Sequence, residues 1–175
     1  MKVLETIRNR GSIRRYRRQP IRGEDLDKIL EAARLSQSAG NRQPWEFVVV
    51  DDSEMKNRLV DVAGNQEFVA EAGAVIVCLA DPSTSAKVGP FEGYLIDVAI
   101  AIENMVLTAW DLGIGSCWIG AYSEPGLKRL LGIPDKLRVA SLLTLGYPAE
   151  KPAVKRRKRL EEIVHRNRYS NRSLD

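Results

Sequence analysis

One histidine and two cysteines in 175 residues deny this chain several common chemistries. His165 stands alone near a basic C-terminal run and reads as a surface residue, so neither a zinc site nor a Cys-His or Ser-His-Asp arrangement has the side chains it needs. Cys78 and Cys117 both sit inside apolar runs, which suits small buried hydrophobes in a reducing compartment better than a disulfide framework. There is no G-x-x-x-x-G-K-[ST] loop and no G-x-G-x-x-G after a strand; GIGS at 113–116 reads as a helix-to-strand turn. The opening MKVLETIRNRG lacks an apolar core of signal-peptide length. The longest apolar segment, YLIDVAIAIENMVLTAWDLG, is interrupted by Asp97, Glu103, Asn104 and Asp111. A cytoplasmic chain with no membrane span is expected.

What the chain has instead is an uneven charge. Its formal net charge is +4, but residues 8–22 hold seven arginines, residues 151–172 hold nine Lys or Arg, and residues 23–150 carry 10 basic against 19 acidic side chains. The ends are basic and the body is acidic. No recognition helix, zinc-finger spacing or interleaving of basic with aromatic residues accompanies this, so no nucleic-acid partner is expected. Two basic ends converging on one small anion is the competing picture.

With 44% hydrophobic and 29% charged residues, one domain over residues 1–175 is expected. EDLDKILEAARLSQS spaces Leu26, Ile29, Leu30 and Ala33 as one helix face, with Glu24 and Asp25 in the first turn. EFVVVDD reads as a strand, then a helix from an N-cap at Ser53 to a stop at Gly64. AGAVIVCLAD reads as a fully buried strand. A helix follows from Tyr94 to Leu112, apolar nearly all round, which implies cover from a second subunit or a central place in a monomer's core. GSCWIGAY and RVASLLTLGY read as strands around a short helix opened by Ser123 and Pro125 and closed by Gly132.

Four blocks, RGSIRRY, SQSAGNRQPWEFVVV, DVAIAIENMVLTAWDLGIGSCWIGAY, and LLTLGYP followed by KRRKRLEEIV, together resemble the FMN-dependent nitroreductase family, in the family's order and from Arg10 to Val164. The resemblance implies an α+β, three-layer α/β/α fold with a mainly antiparallel sheet and an intertwined homodimer holding FMN at two interfacial sites. Arg10, Ser12 and Arg14 match the residues that hold the flavin phosphate and the pyrimidine end of the ring. Lys155 and Arg157 match a C-terminal basic pair on the same phosphate. Guanidinium forks and a hydroxyl are what a phosphate dianion needs. Gln37, Ser38, Ala39 and Asn41 match a loop that reaches the partner's flavin. Cys117, Trp118, Ile119 and Gly120 would lie along one ring face, and Gln66 is a candidate at the ring edge.

The sequence also departs from the family pattern. Gly11 stands where many members have a basic residue, Gln37 replaces a frequent proline, and the interval DPSTSAKVGPFEGY is short where larger members carry an insertion over the substrate. The implied activity is transfer of hydride from NAD(P)H through FMN to a nitroaromatic, quinone or similar small-molecule acceptor by a ping-pong mechanism. Reductive dehalogenation and flavin fragmentation are alternatives within the family; a non-enzymatic basic binding module is the alternative outside it. No catalytic side chain and no metal is assigned.

Overall fold

The run AVIVCLA forms strand β2 (Ala74–Ala80), with every residue buried, as a strand covered on both faces must be. The computed structural model describes residues 2–153 and 155–169. The β-branched run WEFVVV forms β1 (Trp45–Val50), and β5 (Gly115–Ile119) and β6 (Arg138–Gly146) complete an antiparallel sheet in the order β1-β2-β6-β5. Val50 faces Val75, Ala74 faces Leu145 and Cys117 faces Thr144, with a register shift between Cys78 and Leu79.

Alternation along β2 builds a core on each face of the sheet. Val75, Val77 and Leu79 join Leu59, Val69 and Leu127 from α3 (Ser53–Val62), α4 (Phe68–Glu71) and α6 (Glu124–Leu131). Ile76, Cys78 and Ala80 join Ile29 and Ala33 of α2 (Gly23–Arg34), and Val98, Ile102 and Met105 of α5 (Gly93–Asp111). The result is the expected α+β arrangement of three layers. Both cysteines are free and buried.

Local signals hold with small shifts. The α3 cap is Asp52, whose carboxylate accepts from the Met55 N–H at 2.8 Å, so the acid one residue ahead of the expected Ser53 takes that role. Ser123 accepts from the Gly126 N–H, and Gly132 ends α6 at φ 68°. Helix α5 starts and ends one residue before its expected bounds. By length and composition alone it could cross a membrane, but its apolar side is spent on the core, and Ile102 and Met105 are wholly buried within the protomer. Only Leu95 and Ile96, 50% and 39% exposed, remain as large apolar side chains in the open on this helix. The interval before α5 holds a small hairpin, β3 (Lys87–Val88) with β4 (Phe91–Glu92).

An extended strap between α1 (Val3–Asn9) and α2 crosses the end of the sheet. The Ile13 N–H donates to the Ser116 carbonyl, the Arg17 N–H to that of Tyr147 and the Ala149 N–H to that of Arg15, each at 2.9 Å. Tyr16 anchors the strap: its hydroxyl donates to the Ile13 carbonyl at 2.6 Å and pairs with the Thr144 hydroxyl at 2.8 Å. Burial pushes the phenol well above its ordinary pKa range, so it stays a donor. Gly146 admits the ring, since a Cβ there would lie 2.8 Å from Tyr16 Cδ1. Tyr16→Phe, which leaves the buried Ile13 carbonyl without its donor and the Thr144 hydroxyl without its partner, is expected to cost about 1–3 kcal/mol of stability. Urea unfolding should show a lower midpoint at unchanged slope; an unchanged midpoint would remove the strap's anchor from this account.

Candidate functional site

The strap brings the two basic ends together. Arg10 follows α1, and its N–H caps the helix by donating to the Thr6 carbonyl. Its side chain runs toward α5, where Nε lies 3.7 Å from Glu103 Oε1, an ion-pair distance too long for a hydrogen bond. That Nε is buried and has no hydrogen-bond partner. At Gly11 an added Cβ would sit 2.5 Å from Pro152 Cβ. The missing side chain is therefore what lets the C-terminal segment pack on the strap, a physical reason for glycine where a basic residue was the family habit.

Between these segments lies a cavity of ≈ 490 Å³ lined by Ile7, Arg8, Asn9, Arg10, Gly11, Ser12, Pro152, Ala153, Lys155 and Arg157. Every charged residue in that lining is a cation. A second cavity, of ≈ 330 Å³, is lined by Arg18 and Lys56 but also by Asp51 and Glu71. Its charges compensate one another, and Lys56 Nζ already donates to the Ala72 carbonyl at 2.7 Å. Of the two, the larger cavity is the one built for an anion.

Arg14 does not line the cavity. Its side chain is exposed, while its backbone N–H donates to Glu150 Oε1 at 2.7 Å. It lies near the Cys117 thiol, which burial pushes up and which the positive charges of Arg14 and Lys155 pull down. Cys117 thus stands within the field of both basic ends. On β5 the next residue, Trp118, is 42% exposed and Ile119 is buried. Gly120 follows the strand, and a Cβ there would meet nothing within 4 Å. The protein's own packing does not demand that glycine. Gln66 reaches the same turn: a Cβ on Gly64 would touch both Gln66 Nε2, at 3.6 Å, and Ala121. One of its two amide N–H groups, however, is donated to the Ala63 carbonyl at 2.7 Å.

Gln37, Ser38, Ala39 and Asn41 lie elsewhere. None of them lines the cavity, and their loop is tied to α5, where the Asn104 amide donates to the Ser36 hydroxyl at 2.7 Å and the Ala39 N–H donates to Asp97 Oδ1 at 3.0 Å. Gly40, Asn41 and Gln43 all have positive φ, between 50° and 61°, a costly backbone for the two non-glycine residues. Ser38 Oγ accepts the Gln43 N–H at 2.9 Å and braces that shape. The sequence reading missed Asp97, Glu103 and Glu150 as parts of the site. For the first two a signal was present: acids inside an otherwise apolar helix need a reason to be there.

Comparison with known proteins follows the same lines. A model of the nitroreductase family matches residues 7–81 and 60–147. The chain belongs to the nitroreductase family. It is 33% identical over 184 residues to the NADPH-flavin oxidoreductase of Vibrio harveyi, covering 99% of this chain and 77% of that one. Among solved structures, a nitroreductase family protein from Clostridium novyi NT is 38% identical with a TM-score of 0.80, covering 85% of this chain and 86% of the other. NADPH:FMN oxidoreductase from Vibrio harveyi complexed with NAD+ is 32% identical with a TM-score of 0.87, covering 98% and 80%. The three-layer fold is thus a nitroreductase fold, and the four sequence blocks that resembled the family sit on its strap, its α2–β1 loop and β1, its α5–β5 unit, and β6 with the C-terminal segment.

Proposed function

We propose that this nitroreductase family member is an NAD(P)H-dependent flavin oxidoreductase that binds FMN with its phosphate in the basic cavity. The observation that carries the cofactor is Arg10 Nε, a buried donor without an acceptor, in a cavity whose charged lining is wholly cationic. A phosphate dianion supplies the acceptors that such a cradle lacks. The relatives named above, an NADPH-flavin oxidoreductase and an FMN oxidoreductase complexed with NAD+, support the class of reaction. A diffuse nucleic-acid surface fits less well, because these cations converge on one concavity.

Arg10, Ser12, Lys155 and Arg157 hold the phosphate. Gly11 allows the approach of the two segments that carry them. Cys117, Trp118, Ile119 and Gly120 present a strand edge to one ring face, with Gly120 open toward it and Gln66 beside that turn. Arg14 places positive charge at the pyrimidine end, where it favours negative charge on the reduced ring. The Cys117 thiol, held neutral by burial, puts no competing anion there. Bound FMN supplies the redox chemistry, accepting hydride from NAD(P)H and passing electrons to a nitroaromatic, quinone or similar acceptor. The protein binds, orients and tunes, and no side chain is assigned as an acid or base. In a homodimer, loop 37–41 of one protomer completes the site of the other. The separation of that loop from the cavity within one chain supports this, as do the exposed Val3, Leu4, Leu95 and Ile96. The free, buried thiols suit a cytoplasmic enzyme.

Arg157→Ala is expected to raise the FMN dissociation constant by about tenfold or more, the scale of a charged hydrogen bond, and to leave riboflavin binding unchanged. Equal losses for both flavins in a fluorescence titration would place Arg157 away from the phosphate. For assembly the informative change is Leu95→Glu with Ile96→Glu, since these side chains are open in the protomer whereas Ile102 is core. The double variant should sediment as a monomer and lose FMN; a monomer that keeps FMN at native affinity overturns the shared site. Donor and acceptor are expected to use one open pocket in turn, because the short β3–β4 hairpin leaves little material for a second. Double-reciprocal plots should therefore be parallel, and intersecting lines with a ternary complex would require another nicotinamide site.

A further inference from the structure

Among the described residues the fold buries two carboxylates and treats them differently. Asp25, 1% exposed, is met by Arg22 at 2.6 Å and Lys28 at 3.5 Å. Asp97, 2% exposed, has no ion-pair partner among the described residues. One of its oxygens accepts the Ala39 N–H at 3.0 Å, and the other is buried with no hydrogen-bond partner. A lone buried acid of this kind costs more than a well-packed apolar residue in its place. The core therefore gives no reason for an acid at this position, and the bond to Ala39 does.

Ala39 opens the 3-10 turn Ala39–Asn41, whose first N–H groups have no partner within the turn. Ser38 precedes it but makes no side-chain cap, because its hydroxyl is committed to the Gln43 N–H. The cap comes instead from α5, through Asp97. Two turns along the same helix, Asn104 holds Ser36. Helix α5 thus grips the loop at both ends of the segment that carries Gln37 and Ser38.

We propose that Asp97 is a positioning residue for flavin binding: by accepting the Ala39 N–H it fixes the backbone of residues 38–41, so that Ser38 and Asn41 meet the cofactor in one set conformation. This rests on the reading of that loop as a flavin contact. It implies that the acid is kept for ligand geometry at some expense to stability, and that affinity and stability separate when it is changed.

The test uses the full-length protein, with FMN and riboflavin titrated separately and urea unfolding followed without flavin. Asp97→Ala is expected to weaken both flavins equally, by about tenfold, because the loop faces ring and ribityl rather than phosphate. The urea midpoint should hold or rise, since a buried, cation-free carboxylate is removed. Asp97→Asn keeps an acceptor for Ala39 and should bind both flavins within about threefold of wild type. Should Asp97→Ala fail to fold, Ala39→Pro removes the donor instead. Ser38 is extended at ψ 158°, and the first position of a turn accepts proline, so the same loss of flavin affinity is expected there. Native flavin affinity in Asp97→Ala or Ala39→Pro overturns the proposal, as does an Asp97→Asn that loses as much as Asp97→Ala. With either result, Arg157→Ala still discriminating FMN from riboflavin leaves the phosphate cavity standing. A wild-type protein that binds neither flavin removes the cavity reading, and this proposal with it.

Discussion

The Tyr16 hydroxyl, closed between the Ile13 carbonyl and the Thr144 side chain, is the contact on which the rest of the site depends. It fixes the strap on the sheet where β5 begins and β6 ends, and the backbone bonds from Ile13, Arg17 and Ala149 extend that seam in both directions. Once the strap lies there, Arg10, Gly11 and Ser12 must lie along the β5 edge and the chain leaving β6 must pass beside them. The meeting of the N- and C-terminal basic runs follows from the path of the backbone. Their mutual attraction could not have produced it, because they repel.

That repulsion sets the electrostatic problem. Cations crowded around one cavity are unfavourable until an anion joins them, and the protein moderates the cost with only a few acids nearby. Glu103 stands at ion-pair distance from Arg10 without taking its Nε proton into a hydrogen bond, and Glu150 caps the Arg14 backbone rather than its guanidinium. Each acid lowers the local potential while leaving donors available. A closer carboxylate, bonded bidentately to Arg10, would stabilise the empty site and compete with a phosphate for the same fork. The acidic body of the chain compensates the basic ends at long range, where salt screens it, and the cavity keeps its sign at short range.

Much of this was legible in the sequence, for identifiable reasons. β2 announced itself as a run of buried strand length, α6 by Ser123, Pro125 and Gly132, and the two basic runs by their contrast with the acidic middle. The misses have separate causes. The β3–β4 hairpin has two-residue strands, too short for any alternation to register, and the α3 cap fell one residue early because Asp52 and Ser53 are both good caps. The roles of Gly11, Asp97 and Glu103 depend on contacts between residues remote in the chain. A glycine explained by Pro152, or an acid explained by Ala39, cannot be read from local spacing. Helix α5 shows the limit well: its composition suggested apolar cover all round, and only the packing separates Ile102, which is core, from Leu95 and Ile96, which are not.

The same helix joins the two halves of the site. Glu103 faces Arg10 of the strap, while Asp97 and Asn104 hold loop 36–41. A rigid rod of 19 residues therefore carries both the contact to the basic cavity and the loop that does not reach it. Within one protomer the rod keeps these elements at a fixed separation, so no local rearrangement of the loop can close the site without breaking two side-chain ties and unfolding a braced, positive-φ turn. In the homodimer proposed above none of that would be required: each rod would keep its own loop, and symmetry would bring the loop to the other chain's cavity. On that proposal, the stiffness that keeps the loop away from its own chain's cavity is what would make it a dependable part of a partner's.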